Sequence, residues 1–290
     1  MIGAVYRYRA DPPMLQSVAS NLIVTGVSRS GTSYLCNLLH RFENCVAINE
    51  PQEAISVLQQ EEVPWGMAAF YGRVRRDIEA GRPIENKIRR GRVVEDTARH
   101  EKRRWYRPAV ASPDFVLAVK NTREFLLRLE ALRSVMPEAR IVACVRDPLD
   151  TIASWKRSFR HLHDADVGPF VRHPQCMWLP QAQREALASI AATPHPAERR
   201  ALWWRFLAER VLEHRDVVVL VRYEELVAEP LPVLRRILDG FDAGDLRAPI
   251  GPSGARSSRR LLDDDDLSAI SEICSPAAAQ LGLAVPAERR

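Results

Sequence analysis

The chain has 290 residues, 46% of them hydrophobic and 27% charged, with a formal net charge of +5. So much apolar character excludes a disordered chain, and no apolar run reaches the roughly 18 residues of a membrane span. The basic excess suits an anionic ligand. The densest basic region, around Arg89 to Arg104, is interrupted by Glu95, Asp96 and Glu101, so no nucleic-acid partner is expected. The five cysteines, Cys36, Cys45, Cys144, Cys176 and Cys274, are scattered and lack CxxC spacing, which argues against a disulfide framework or a zinc site. The first residues lack the apolar stretch of a secretory leader, so a soluble, cytoplasmic protein is expected.

In chain order, Asn21 to Val27 is a continuous apolar run, the pattern of a strand buried on both faces. Gly31 to Phe42 follows with helical spacing. Val46 to Ile48 is a short strand and Phe115 to Val119 another. Glu124 to Val135 reads as an amphipathic helix ending before Pro137. Arg140 to Val145 is a fourth strand, and Pro148 opens a helix where proline is tolerated. Val217 to Val221 is a fifth strand. Glu224 to Gly240 is helical with a break near Pro230 and Pro232, and Asp263 to Cys274 is a last helix with an acidic first turn. Strand and helix alternate in this way in an α/β protein with a central parallel sheet flanked by helices. Residues 1–290 form one domain in this scheme. Two stretches, at about 60–112 and 160–200, stand out as insertions over the carboxyl edge of the sheet, where α/β proteins place ligands.

The strongest local signal is Gly26-Val27-Ser28-Arg29-Ser30-Gly31-Thr32-Ser33, between a strand and a helix. Its glycine spacing is that of a phosphate loop, in which backbone N–H groups and a helix N-terminus converge on an anion. The position that holds lysine in nucleoside triphosphatases holds Thr32, and the cation stands earlier, as Arg29. Ser30, Thr32 and Ser33 add hydroxyl donors. A second strand-to-helix junction carries Arg146-Asp147-Pro148, with Ser154 eight residues after Arg146. Arg146 and Ser154 are placed to share one phosphate beside the helix start.

Together these two motifs resemble those of sulfotransferases that use 3′-phosphoadenosine-5′-phosphosulfate (PAPS). The resemblance implies that Arg29, Ser30, Gly31, Thr32 and Ser33 hold the 5′-phosphosulfate and that Arg146 and Ser154 hold the 3′-phosphate. It implies a P-loop NTPase-like sulfotransferase fold, with PAPS as donor, PAP as product and no metal. Asn49-Glu50-Pro51 falls where many members carry a glutamate. Lys120-Asn121-Thr122 resembles their Lys-x-Pro, with Thr122 for proline. Arg222-Tyr223-Glu224-Glu225-Leu226 resembles their "RYEDL" segment, which adds Tyr223 to the donor site. Arg256 and Ser258, in a basic loop, are candidates to close over the 3′-phosphate. The match spans roughly residues 20–260 and is weakest in the two insertions.

Sulfuryl transfer asks for an in-line attack and for charge stabilisation on the leaving oxygen. Arg29 and Lys120 are the cations placed for this, and Glu50 is the candidate general base. His161 and His163 are rival bases. Trp65, Trp105, Tyr106 and Trp178 in the insertions either stack on an acceptor or pack the insertions themselves. The acceptor expected is a small molecule or carbohydrate with a hydroxyl or amine, since the Ala- and Arg-rich composition suggests a GC-rich bacterial genome. A homodimer is allowed. Two other readings are a P-loop kinase, which needs the missing loop lysine and a strand-end aspartate for Mg²⁺, and a non-catalytic adenosine-phosphate-binding module, which has no use for Glu50 and Lys120.

Overall fold

Continuous apolar runs become strands covered on both sides. The computed structural model describes residues 20–158, 160–254 and 257–284. In it β1 (Asn21–Gly26), β2 (Cys45–Asn49), β7 (Val116–Lys120), β8 (Arg140–Val145) and β9 (Val218–Arg222) form one sheet in the order β2-β7-β1-β8-β9. Every pairing in it is parallel. β1, β2 and β7 are buried throughout, whereas β9, at an edge, is half-exposed over Val218–Leu220. Alternate residues serve opposite faces. Leu22 and Val24 pack with the helix Thr32–Leu39 and the helix Pro230–Leu238, while Ile23 faces Phe70 and Tyr71 of the helix Gly66–Glu79. The helix Pro196–Glu213 adds Trp203, Trp204 and Leu207 to a third cluster beneath β8.

From β1 the chain runs out to β2, returns through β7, and then crosses to β8 on the other flank of β1. The carboxyl end of β1 is therefore a switch point, where neighbouring loops part and leave a crevice.

Several elements differ from their expected limits. The stretch expected as one helix over 124–135 is two, Arg123–Leu127 and Leu129–Val135, broken at Arg128. There the Arg128 guanidinium donates to the Leu58 and Glu61 carbonyls at 2.9 and 3.0 Å. The expected break near Pro230 is present, separating Tyr223–Ala228 from Pro230–Leu238. The last helix starts with a capping box between Asp263 and Asp266, and a π-turn over Ile270–Cys274 divides it from Ser275–Gln280.

The first insertion is an ordered strap. β3 (Ile84–Asn86) pairs with β6 (Arg104–Tyr106), and between them β4 (Ile88–Arg89) pairs with β5 (Arg92–Val93). The Asn86 side chain stitches the strap to the sheet. Its carbonyl accepts from the N–H of Asn49 (2.9 Å) and of Lys87 (2.8 Å), and its amide donates to the Ala47 carbonyl (2.8 Å).

At the opposite flank, fully buried Asp266 takes Lys156 (2.5 Å) and Arg200 (2.9 Å to Nε), tying the C-terminal helices to the helix Pro148–Trp155. Lys156 keeps Asp263 at 2.8 Å, but loss of Asp266 takes the close carboxylate from buried Arg200, and a buried cation left in this way costs about 3–5 kcal/mol. Asp266→Ala is expected to lose that much unfolding free energy in urea titration. A loss below about 1 kcal/mol would show that the network is incidental.

Candidate active site

The loop after β1 is shaped by two glycines. Gly26 has φ +130°, and a Cβ there would lie 2.0 Å from the Cys144 carbonyl oxygen of β8. Gly31 has φ +88°, and a Cβ there would lie 2.4 Å from the Tyr223 ring. Arg29 takes φ +72° without being glycine, a strain that the surrounding contacts must hold. The helix Thr32–Leu39 then starts with no side-chain cap and no acidic residue in its first turn. Its first N–H groups and the positive end of its dipole face the crevice, a cradle for an anion.

The second motif comes down beside this loop. The indole of fully buried Trp155 donates to the Ser28 carbonyl at 2.9 Å. Arg29 Nε donates to Ser154 Oγ at 3.2 Å. The Arg146 guanidinium lies 4.2 Å from the centre of the Tyr223 ring, the same ring that Gly31 approaches. Asp147 caps the helix by accepting from Asp150 N–H at 3.0 Å. The loop motif and the Arg146–Ser154 motif thus border one cleft of about 1100 Å³.

Glu50 stands across that cleft, at the end of β2, with φ +51°. Its backbone is clamped from two sides: its N–H donates to the Lys120 carbonyl (2.8 Å) and its carbonyl accepts from Arg103 (2.9 Å). One carboxylate oxygen pairs with Lys120, the other with Lys87 at 2.5 Å. Thr97 Oγ1 lies 3.4 Å from the first oxygen. Burial alone would push this carboxyl up, but the two lysines outweigh it and hold the pKa at about 2.

Among the described residues, four non-glycines take positive φ: Arg29, Glu50, Arg90 and Ala165. Three of them, Arg29, Glu50 and Ala165, line the cleft, so backbone strain gathers where the side chains converge.

The amino-acid sequence matches the model of the sulfotransferase family over residues 21–244. The chain belongs to the sulfotransferase family and is a transferase. Two solved structures are similar over most of their length. A sulfotransferase from Alicyclobacillus acidocaldarius is 16% identical, with a TM-score of 0.46, over 90% of this chain and 93% of that one. Sulfotransferase STF9 from Mycobacterium avium is 15% identical, with a TM-score of 0.46, over 94% and 79%. No curated protein sequence matches the chain.

Of the residues expected from sequence, Arg29, Gly31, Thr32, Ser33, Glu50, Lys120, Arg146, Ser154 and Tyr223 all line the cleft. Ser30 differs: its buried hydroxyl donates to the Val27 (2.6 Å) and Cys144 (2.8 Å) carbonyls, fastening the loop to β8. Ser258 is buried away from the cleft wall, and its neighbour Arg259 pairs with Asp150 at 2.9 Å. Arg256 lies outside the described residues. The same loop reaches the cleft earlier, through Gly251, Ser253 and Gly254, and Ser253 Oγ is 3.0 Å from the Tyr34 hydroxyl. His161 lines the cleft, whereas His163 shares a hydrogen bond with the Ser158 carbonyl at 3.1 Å. Trp65 and Trp105 point to solvent, and Trp178 lies under Arg128. The aromatic residues in the cleft wall are instead Phe170, Trp203, Tyr34 and Tyr223.

Sequence reasoning missed the strap's contribution. Asp96 receives both arms of Arg29, at 2.7 and 3.0 Å, and Lys87, Thr97 and Arg103 surround Glu50. The only trace of this in sequence was a charged, mixed-sign run. Among the described residues no cluster of His, Cys, Asp and Glu is arranged to hold a metal, and no helix is long and apolar enough to cross a membrane.

The depressed Glu50 pKa carries a stability prediction. A carboxyl depressed in the folded state contributes stability above its unfolded pKa and loses it as pH falls toward the folded value. The gap in unfolding free energy between wild type and Glu50→Gln should be full above about pH 5 and shrink as pH falls from about 4.5 toward 2. Denaturant titrations across that window test this, and a gap that does not change with pH would contradict the ion pairing.

Proposed function

We propose that the cleft moves a sulfuryl group from PAPS to a hydroxyl or amine of a small-molecule or carbohydrate acceptor. The contact of Arg29 with Ser154 carries this reading, because it joins a phosphate loop without the triphosphate-binding lysine to a second anion motif. A donor with anionic groups at both its 5′ and 3′ positions fits such a pair of seats. The uncapped helix start and the gap kept open by Gly31 suit the 5′ side, and Arg146, stacked on Tyr223, suits the 3′ side. A kinase reading finds little support, since Thr32 stands in place of the lysine and Asp147 is taken up as a helix cap.

Bound PAPS supplies the activated sulfuryl group. Arg29 and Lys120, from the ends of β1 and β7, steady the charge that gathers on the transferred group and leaving oxygen. Glu50 takes the acceptor proton. With both lysines upon it Glu50 is a weak base. An anion seated beside Lys120 draws that ammonium away, and each donor withdrawn from Glu50 raises its basicity. His161 offers a second reading for the base: desolvation in the cleft wall and nearby Arg123 lower its pKa, so the imidazole is neutral near pH 7.

The acceptor seat lies at the far end, built by both insertions. The strap brings Lys87, Asp96, Thr97 and Arg103, and the second insertion brings His161, Leu162, Ala165, Val167 and Phe170. Its floor is apolar, and the charge above it is partly spent: Arg123 stacks on Phe170 at 5.0 Å and bonds Glu124. The Ala- and Arg-rich composition and the five buried cysteines fit a cytoplasmic bacterial enzyme.

The test separates the two seats. PAP should raise the melting temperature, while ATP with Mg²⁺ leaves it nearly flat. Arg146→Ala should weaken PAP by about 1.5–3 kcal/mol, the worth of a charge-assisted contact, and barely change adenosine-5′-phosphosulfate, which lacks the 3′-phosphate. Equal losses for both nucleotides, or a larger shift with ATP, would overturn the assignment.

A further inference from the structure

Two lysines share one carboxylate at Glu50, and they come from different parts of the fold. Lys120 ends a core strand of the sheet, at 3% side-chain exposure. Lys87 belongs to the strap, between its two ribbons, at 6%. Burying an ammonium group costs several kcal/mol unless a partner offsets it, so a second buried lysine on one carboxylate needs a reason.

The surroundings of Lys87 show that its position is built. The Asn86 carbonyl oxygen fixes its N–H at 2.8 Å, and its own carbonyl accepts from Val94 N–H at 3.0 Å. The same Asn86 holds the Asn49 N–H, one residue before Glu50. Lys87 and Glu50 are thus referenced to one side chain, and the lysine meets its own carboxylate oxygen, distinct from the one that pairs with Lys120.

The charges do not balance within this group. Two ammonium groups face one carboxylate, an excess of one positive charge. Asp96, which also lines the cleft, is occupied by Arg29. Arg103 bonds the Glu50 carbonyl and has its own acid in Glu85 at 3.9 Å, and Cys36, on the helix Thr32–Leu39, is a neutral thiol whose pKa burial raises to about 12. Among the described residues, the excess charge therefore has no acid to offset it within the cluster, and it is open to an incoming anion.

We propose that Lys87 is a positioning residue for the transfer step: it holds Glu50 ionised and aimed, so that Lys120 is released to the sulfuryl group. Lys87 acts through Glu50 and, among the described residues, makes no hydrogen bond or ion pair with the nucleotide cradle. The inference rests on the reading of Glu50 as base, and the experiment keeps the two apart.

The test compares Lys87→Met, Lys87→Gln and Lys87→Arg with wild type, at saturating PAPS and with an acceptor that the wild type sulfates. Without Lys87, Glu50 keeps Lys120 for itself. The two neutral variants should then lose on the order of 10²-fold in kcat, the usual effect of removing one charge-stabilising donor. Their acid limb should move up by roughly one pH unit or more, as expected when an opposite charge leaves a carboxylate's side. PAP affinity should stay within a few-fold in all three, which also reports that each variant is folded. Lys87→Arg should restore most of kcat and return the acid limb toward wild type. Lys87→Gln, which keeps a hydrogen-bond donor, guards against a folding failure of the Met variant. An unchanged kcat and acid limb in the folded neutral variants would overturn the role of Lys87. Normal turnover in Glu50→Gln would instead overturn Glu50 as base, and with it the premise of this inference.

Discussion

A carboxylate between two buried ammonium groups is the interaction around which this cleft is organised. Glu50 sits at the end of β2 with a positive-φ backbone clamped by the Lys120 carbonyl on one side and the Arg103 guanidinium on the other. Its carboxylate then draws Lys120 from the sheet and Lys87 from the strap into one place. The strap's register follows, because Asn86 ties the residue next to Glu50 to the residue that pairs with it. The result is a rigid, positively charged corner facing the phosphate loop, and sulfuryl chemistry calls for such preorganised charge.

The loop itself is a second constraint, and it is set by close approach. Neither Gly26 nor Gly31 tolerates a side chain, the first because of β8 and the second because of Tyr223. The loop after β1 is thereby pressed against the elements that carry Arg146, Ser154 and Tyr223. Trp155 and Ser30 reinforce the seam with hydrogen bonds to loop and strand carbonyls. The two proposed anion seats are adjacent because the strand order places β8 beside β1.

What was legible in the sequence is local. The sheet strands appear as apolar runs because parallel strands are largely covered on both faces, the edge strand β9 least so, and the loop around Arg29 and Gly31 declares itself by spacing. Arg146 and Ser154 are readable for the same reason, since both lie in one strand-to-helix junction. The partners of these residues are not local. Asp96 lies 67 residues from Arg29, and Lys87 lies 37 from Glu50. Nothing in the charged run around Arg89 to Arg104 distinguishes Asp96 from Glu95, because only the strap's hairpin geometry decides which acid turns inward. The split of the helix at Arg128 was hidden likewise, since its carbonyl partners, Leu58 and Glu61, come from an earlier part of the chain. Trp65, just before the helix Gly66–Glu79, and Trp105, on a ribbon, are both exposed, because aromatic character alone does not say which way a side chain faces.

The proposed function requires that this cleft deliver a sulfuryl group. Incubation of the full chain with PAPS and a panel of phenols, alkanols, amines and sugars, read by mass spectrometry, tests it directly. At least one acceptor is expected to gain a single SO₃ unit, with one PAP released for each product formed and no gain when ATP replaces PAPS. PAPS that stays intact across the panel while binding the protein tightly, or a phosphoryl gain with ATP, would contradict it.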